Sequence, residues 1–259
     1  MAKSWSTFPY RDARFVHTAT SLKKAWADLH RGDCEPLPKQ AAALEAWIAF
    51  HAGEFQTAAE LGREAGGAGL AAAHKATAIY ANYLEQDDSR RLALFDEVAR
   101  SAEAQQRAEP GNANAFYWHA YALGRYAQGI SVAKALAAGI GGKVKTSLEA
   151  AIRLAPKHAD AHTALGTYHA EVIDKVGALV AGLTYGAKKD IGLAHFETAL
   201  KLNPRSAIAR IEQANGLVML EGKKALARAE KLYAEAAACS AADAAERLDV
   251  ELAKSELAG

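Results

Sequence analysis

The chain has 259 residues, 51% of them hydrophobic and about a quarter alanine, with two cysteines, two methionines and six prolines. This composition suits a globular chain of one large or two modest domains with a sizeable core, and it excludes disorder and collagen. A formal net charge of +1, with both signs interleaved along the sequence, provides no field to hold nucleic acid phosphates or an anionic membrane surface, so no nucleic-acid partner is expected.

The opening residues, MAKSWSTFPYRDARF, carry charges every few positions and no apolar run of signal-peptide length. The longest uncharged apolar stretch, 176–183, is about half of what a bilayer requires, so no membrane span is expected. Cys34 and Cys239 lie far apart and form no CxxC framework, which points to a reducing, cytoplasmic location. Alternating strand patterns are scarce and helical periodicity dominates. A first helix is predicted over 12–30, where Phe15, Ala19, Leu22, Trp26 and Leu29 share one face, ended by Gly32-Asp33. With its linker it makes an N-terminal segment, 1–38. A second helix takes Leu44, Trp47, Ile48 and His51, and after a turn at 51–54 another begins at Phe55.

Further along, one phrase recurs in three variants: Gln106-Arg107-Ala108-Glu109-Pro110, Ile152-Arg153-Leu154-Ala155-Pro156 and Leu200-Lys201-Leu202-Asn203-Pro204. Each precedes an alanine-rich helix start, Asn112-Ala113, His158-Ala159 and Ser206-Ala207, where a polar residue can cap the new helix after proline has stopped the old one. With Leu165-Gly166, Phe196 and Ala199, this pattern resembles the tetratricopeptide repeat, a helix-turn-helix unit of about 34 residues that stacks into a right-handed solenoid. The resemblance covers 39–240 and implies an all-α fold of about five helix pairs, with a C-terminal capping helix over 241–259. Two units exceed the repeat length, placing helical inserts near 127–142 and 174–189. Long inserts of this kind are similar to those of the regulator of microtubule dynamics family and of the T-component proteins of TRAP transporters. A microtubule role is not carried over, because no residue reports on tubulin, and the alanine-rich composition looks bacterial.

Chemistry-bearing motifs are few. His158, His162 and His169 have a spacing that metals can use, but there is no HExxH pattern, and no metal or other cofactor is expected. Gly139-Ile140-Gly141-Gly142-Lys143 lacks the first glycine, the Ser or Thr and the preceding strand of a phosphate-binding loop. No GxSxG elbow is present and neither cysteine has a histidine beside it in sequence, so the chain is expected not to be an enzyme. The repeat resemblance implies a groove lined by the first helix of each unit. Its candidate binding residues are Lys75, Asn82 and Tyr83, then Asn114, Tyr117, Tyr121 and Arg125, then Asp160, Thr163, Thr167 and Glu171. Tyrosine and arginine at such positions suit recognition of an unidentified protein segment or peptide. The lysine-asparagine spacing that grips a C-terminal carboxylate in chaperone-binding repeats is absent. An alternative ligand is a small molecule or lipid in a pocket walled by the apolar inserts, and the same inserts offer a face for a homo-oligomer.

Overall fold

Caps and prolines set the element boundaries in the computed structural model, which describes residues 4–258. Asp12 caps a single turn, Ala13–Phe15, after which Val16 is extended. Thr18 then opens α1 (Ala19–Leu29) with a reciprocal capping box to Ser21. The helix expected over 12–30 is thus two pieces, because the cap at Thr18 outweighs an apolar periodicity that continues through it. Next come α2 (Ala41–His51), α3 (Phe55–Ala65), α4 (Leu70–Tyr83) and α5 (Asp88–Ala108). The residues after the proline phrases cap as their chemistry requires. Asn112, His158 and Ser206 accept backbone amides at the starts of α6 (Ala113–Gln128), α9 (Ala159–Val176) and α12 (Ala207–Glu221).

Between them lie α7 (Val132–Ala137), α8 (Ile140–Leu154), the short α10 (Ala178–Val180) running into a π turn, and α11 (Lys189–Leu202). The chain ends in α13 (Leu226–Ala237) and α14 (Ala244–Ala258). The fold is all-α, and no strand occurs among the described residues. Five pairs stack in order: α2 with α3, α4 with α5, α6 with α8, α9 with α11 and α12 with α13. The inserts sit between the two helices of pairs three and four. Gly139, at φ +63°, turns the chain into α8, a conformation that favours glycine. Terminal residues 1–3 and 259 of the predicted end segments lie outside the described residues.

Neighbouring pairs approach closely where glycine permits. A Cβ on Gly166 would stand 2.8 Å from Phe196 Cδ1, and one on Gly216 would stand 2.6 Å from Phe196 Cε2, so α9 and α12 both rest on one aromatic ring. The stack also curls until its ends meet. Ala244, Ala245 and Leu248 of α14 share a core with Phe8, Trp47 and Tyr80 from the other end of the chain. His51 Nδ1 lies 2.7 Å from Asp243, and the Tyr83 hydroxyl donates to Asp249. The N-terminal segment crosses the inner side of this curl. Asp160 N donates to Gly32 O at 3.0 Å, and Arg205 pairs with Asp28 at 3.2 Å.

Candidate functional site: an internal cavity

The curl leaves a partly open cavity of about 370 Å³ between the inner helices, the N-terminal segment and α14. That volume lies within the range of small-molecule pockets. Of the predicted groove residues, Lys75, Tyr83, Tyr117, Tyr121, Arg125, Asp160, Thr163, Thr167 and Glu171 line it together. Two do not. Asn114 is buried and serves the scaffold: its amide donates to Asp33 O at 3.0 Å and to Glu35 at 2.6 Å, while its carbonyl faces His158 Nε2. Asn82 stands on α4 outside the lining. The groove expected along the first helix of each pair is partly filled by the chain's own residues 28–35, which Asn114 helps to hold.

Both inserts reach the cavity. Ile130, Val132, Leu136 and Ile140 from the first, and Val176 and Tyr185 from the second, join Val144, Leu148 and Val172 to make an apolar wall. At the tip of the second insert Leu179 and Leu183 point away, 76% and 82% exposed. Arg125 forms the divide between apolar and polar regions. Its guanidinium pairs with Glu212 at 2.7 Å and lies over the Tyr121 ring at 5.4 Å, and Thr167 donates to Glu212 at 2.9 Å. Arg125, Gln128, Glu171, Lys175 and Glu212 also border a polar depression that adjoins the cavity and marks a mouth.

The remaining wall was not foreseen from sequence. It carries Asp33 from the N-terminal segment, Asp243 just before α14, whose carboxylate accepts the Glu246 amide, and Glu246 and Asp249 on that helix, beside Asp160 and Lys75. Lys75 Nζ lies 2.7 Å from Asp33, and His30 Nδ1 lies 2.9 Å from the same carboxylate. Burial opposes ionisation of Asp33, but Lys75 and then His30 hold its carboxyl well below the usual range. The other acids behave oppositely. Burial, with Asp33 nearby, pushes Asp160 up to about 7. Burial, with Asp243 nearby, pushes Glu246 up to about 7, and burial drives Asp249 well above its ordinary value. A sequence signal for the α14 acids existed: positions 243, 246 and 249 recur at steps of three and so share one helical face.

The histidines singled out by spacing do not assemble around one point. His158 caps α9, His162 Nδ1 lies 2.8 Å from His195 Nδ1, and His169 Nδ1 accepts the Lys188 amide at 3.1 Å. No group of three or more metal-ligating side chains occurs among the described residues, and none of the described helices is long and apolar enough to cross a membrane. In comparisons with known proteins, the model of one family, regulator of microtubule dynamics protein 1-3, matches residues 68–254. The matched span runs from just before α4 into α14 and so contains both inserts and most of the cavity lining. No curated protein matches the chain.

Proposed function

We propose a role from one premise: the chain belongs to the regulator of microtubule dynamics protein 1-3 family. That family is not known for enzymes, and its name speaks of a regulator. This chain acts as a non-enzymatic regulator or adaptor that takes a small amphiphilic ligand into its internal cavity. One observation carries the reading: the cavity joins an apolar wall, built by the inserts, to a wall of ionisable side chains. Pockets with that division orient a ligand by its polar end and gain affinity from its apolar remainder. The closed end at α14 and the occupied inner face favour a short ligand over a peptide laid along the groove.

A second reading is favoured by the mouth. Arg125, Gln128, Glu171 and Lys175 sit at the surface end of a path leading to Tyr121 and Tyr117, a sequence of groups suited to the end of a protein segment. Native mass spectrometry of the gently purified protein tests the main reading. A small co-purifying mass, lost when Ala135→Trp fills the insert side, is the expected result. A ligand-free protein that instead crosslinks to a protein partner through Tyr117 or Tyr121 would replace the first reading with the second.

A further inference from the structure

The ionisable wall of the cavity is unequal in charge. Five carboxylates face it, from Asp33, Asp160, Asp243, Glu246 and Asp249, and Lys75 is the one lysine or arginine among them. Lys75 is committed to Asp33 at 2.7 Å. Asp243 is engaged by the His51 ring, and Asp249 receives the Tyr83 hydroxyl. Glu246 accepts the Ala242 amide at 2.7 Å. Asp160 has protein packed around it and faces the cavity; among the described residues none donates a hydrogen bond to its carboxylate, which feels Lys75 only through space. Its place depends on Gly32, where a Cβ would stand 2.5 Å from Asp160 Oδ1. Elsewhere in the lining the charges cancel locally, Arg125 with Glu212 and Lys175 with Glu171.

A carboxylate enclosed beside a cation that is committed to another acid is under-compensated, and it either keeps a proton or acquires a further cation. Resting on the reading that the cavity is the binding site, we propose that its ligand presents a cation, an ammonium or guanidinium group, to Asp160 and the acids of α14, with an apolar stem against the inserts. A ligand with an anionic head meets the same five carboxylates and is rejected. The raised proton affinities of Asp160 and Glu246 accord with this, because arrival of a cation near neutral pH would displace their protons. The cation has two possible carriers, a free amphiphilic amine or a lysine or arginine side chain within an apolar peptide.

Calorimetric titration of the full chain with octylammonium, octanoate and octanol at about pH 7 tests the proposal, since a single new ion pair in a cavity is worth roughly tenfold in affinity or more. Octylammonium is expected to bind about tenfold or more tightly than either analogue. Its heat is expected to change with the ionisation enthalpy of the buffer, because protons leave. Asp160→Asn, which removes a carboxylate that no described side chain hydrogen-bonds, is expected to erase most of that preference. A leucine-rich peptide with one lysine, compared with its glutamine counterpart, assigns the carrier: tighter binding than octylammonium marks a side chain, weaker binding marks a free amine. If octanoate or octanol binds as well as octylammonium and Ala135→Trp blocks all of them, the cavity stands as a site and the cation inference falls. If none of the probes binds, or binding ignores Ala135→Trp, both fall.

Discussion

At the scale of single residues, His158 illustrates how burial fixes a protonation state. Its ring is fully enclosed, Nδ1 accepts the Ala161 amide at 3.1 Å, and Nε2 donates to Asn114 Oδ1 at 3.0 Å. Both nitrogens are thus assigned in the neutral form, and burial lowers the ring to about 4. An unfolded histidine takes up its proton near 6.5, so the unfolded chain binds the extra proton as pH falls from there toward 4. The contribution is complete above about 6.5 and is lost on acidification, by about 3 kcal/mol from this site. Urea denaturation of the parent and of His158→Asn, which keeps a capping group, is expected to show curves that converge as pH drops. Lys75 poses the opposite case of a charge that must stay paired. Lys75→Met leaves Asp33 with the His30 ring and the Glu35 amide but without its lysine, and is expected to lower stability by about 3 to 5 kcal/mol, while adding Asp33→Asn recovers much of the loss. Urea midpoints read both.

At the scale of elements, the contact of α9, α11 and α12 turns on Phe196, whose ring fills the space that Gly166 and Gly216 leave. Phe196→Ala is expected to cost about 3 to 5 kcal/mol in unfolding experiments. Gly216→Ala should destabilise the parent and be close to neutral once Phe196 is alanine, a coupling that a double-mutant cycle measures. The Gly166 and Phe196 positions were legible beforehand because Leu165-Gly166, Phe196 and the proline phrases are local signals that repeat with the helix pairs, whereas Gly216 carried no such signal. The caps at Asn112, His158 and Ser206 were legible for the same reason. The site was half legible. Nine of its lining residues sit on inner helix faces that the repeat register predicts, whereas the carboxylate wall draws on Asp33 and on α14, some 200 residues apart in the chain and juxtaposed only by the curl. Asn114 lies on the expected face but outside the lining, because register gives a face and not an occupant, and its occupant is the chain's own residues 33–35. The insert tip is separable from this framework. Leu179→Ser with Leu183→Ser is expected to change stability by no more than about 0.5 kcal/mol, since neither side chain is buried.

At the scale of the whole molecule, the raised acids leave a signature in stability. Glu35, raised by burial and Asp33 to about 8, joins Asp160 and Glu246 at about 7. Such groups hold protons in the folded state that the unfolded chain has released, so their contribution is present at low pH and is lost as pH rises through 7 to 8. Between about 4 and 6.5 the buried histidines act in the other direction, so the net decline belongs above 6.5. Melting temperatures of the ligand-free protein measured across that interval are expected to fall, and Asp160→Asn is expected to flatten the slope.

An open array of helix pairs can lengthen by duplicating a unit and can fray from either end, because each unit answers only to its neighbours. Here α14 meets α2 and α4, and His51 and Asp243 bond across 192 positions of sequence. Inserting a sixth pair would carry α14 past its seat, so this molecule has a fixed number of units in the way a ring has a fixed circumference. Amide exchange should accordingly report one slow, shared opening for the first and last pairs, with no gradient of protection running inward from the ends.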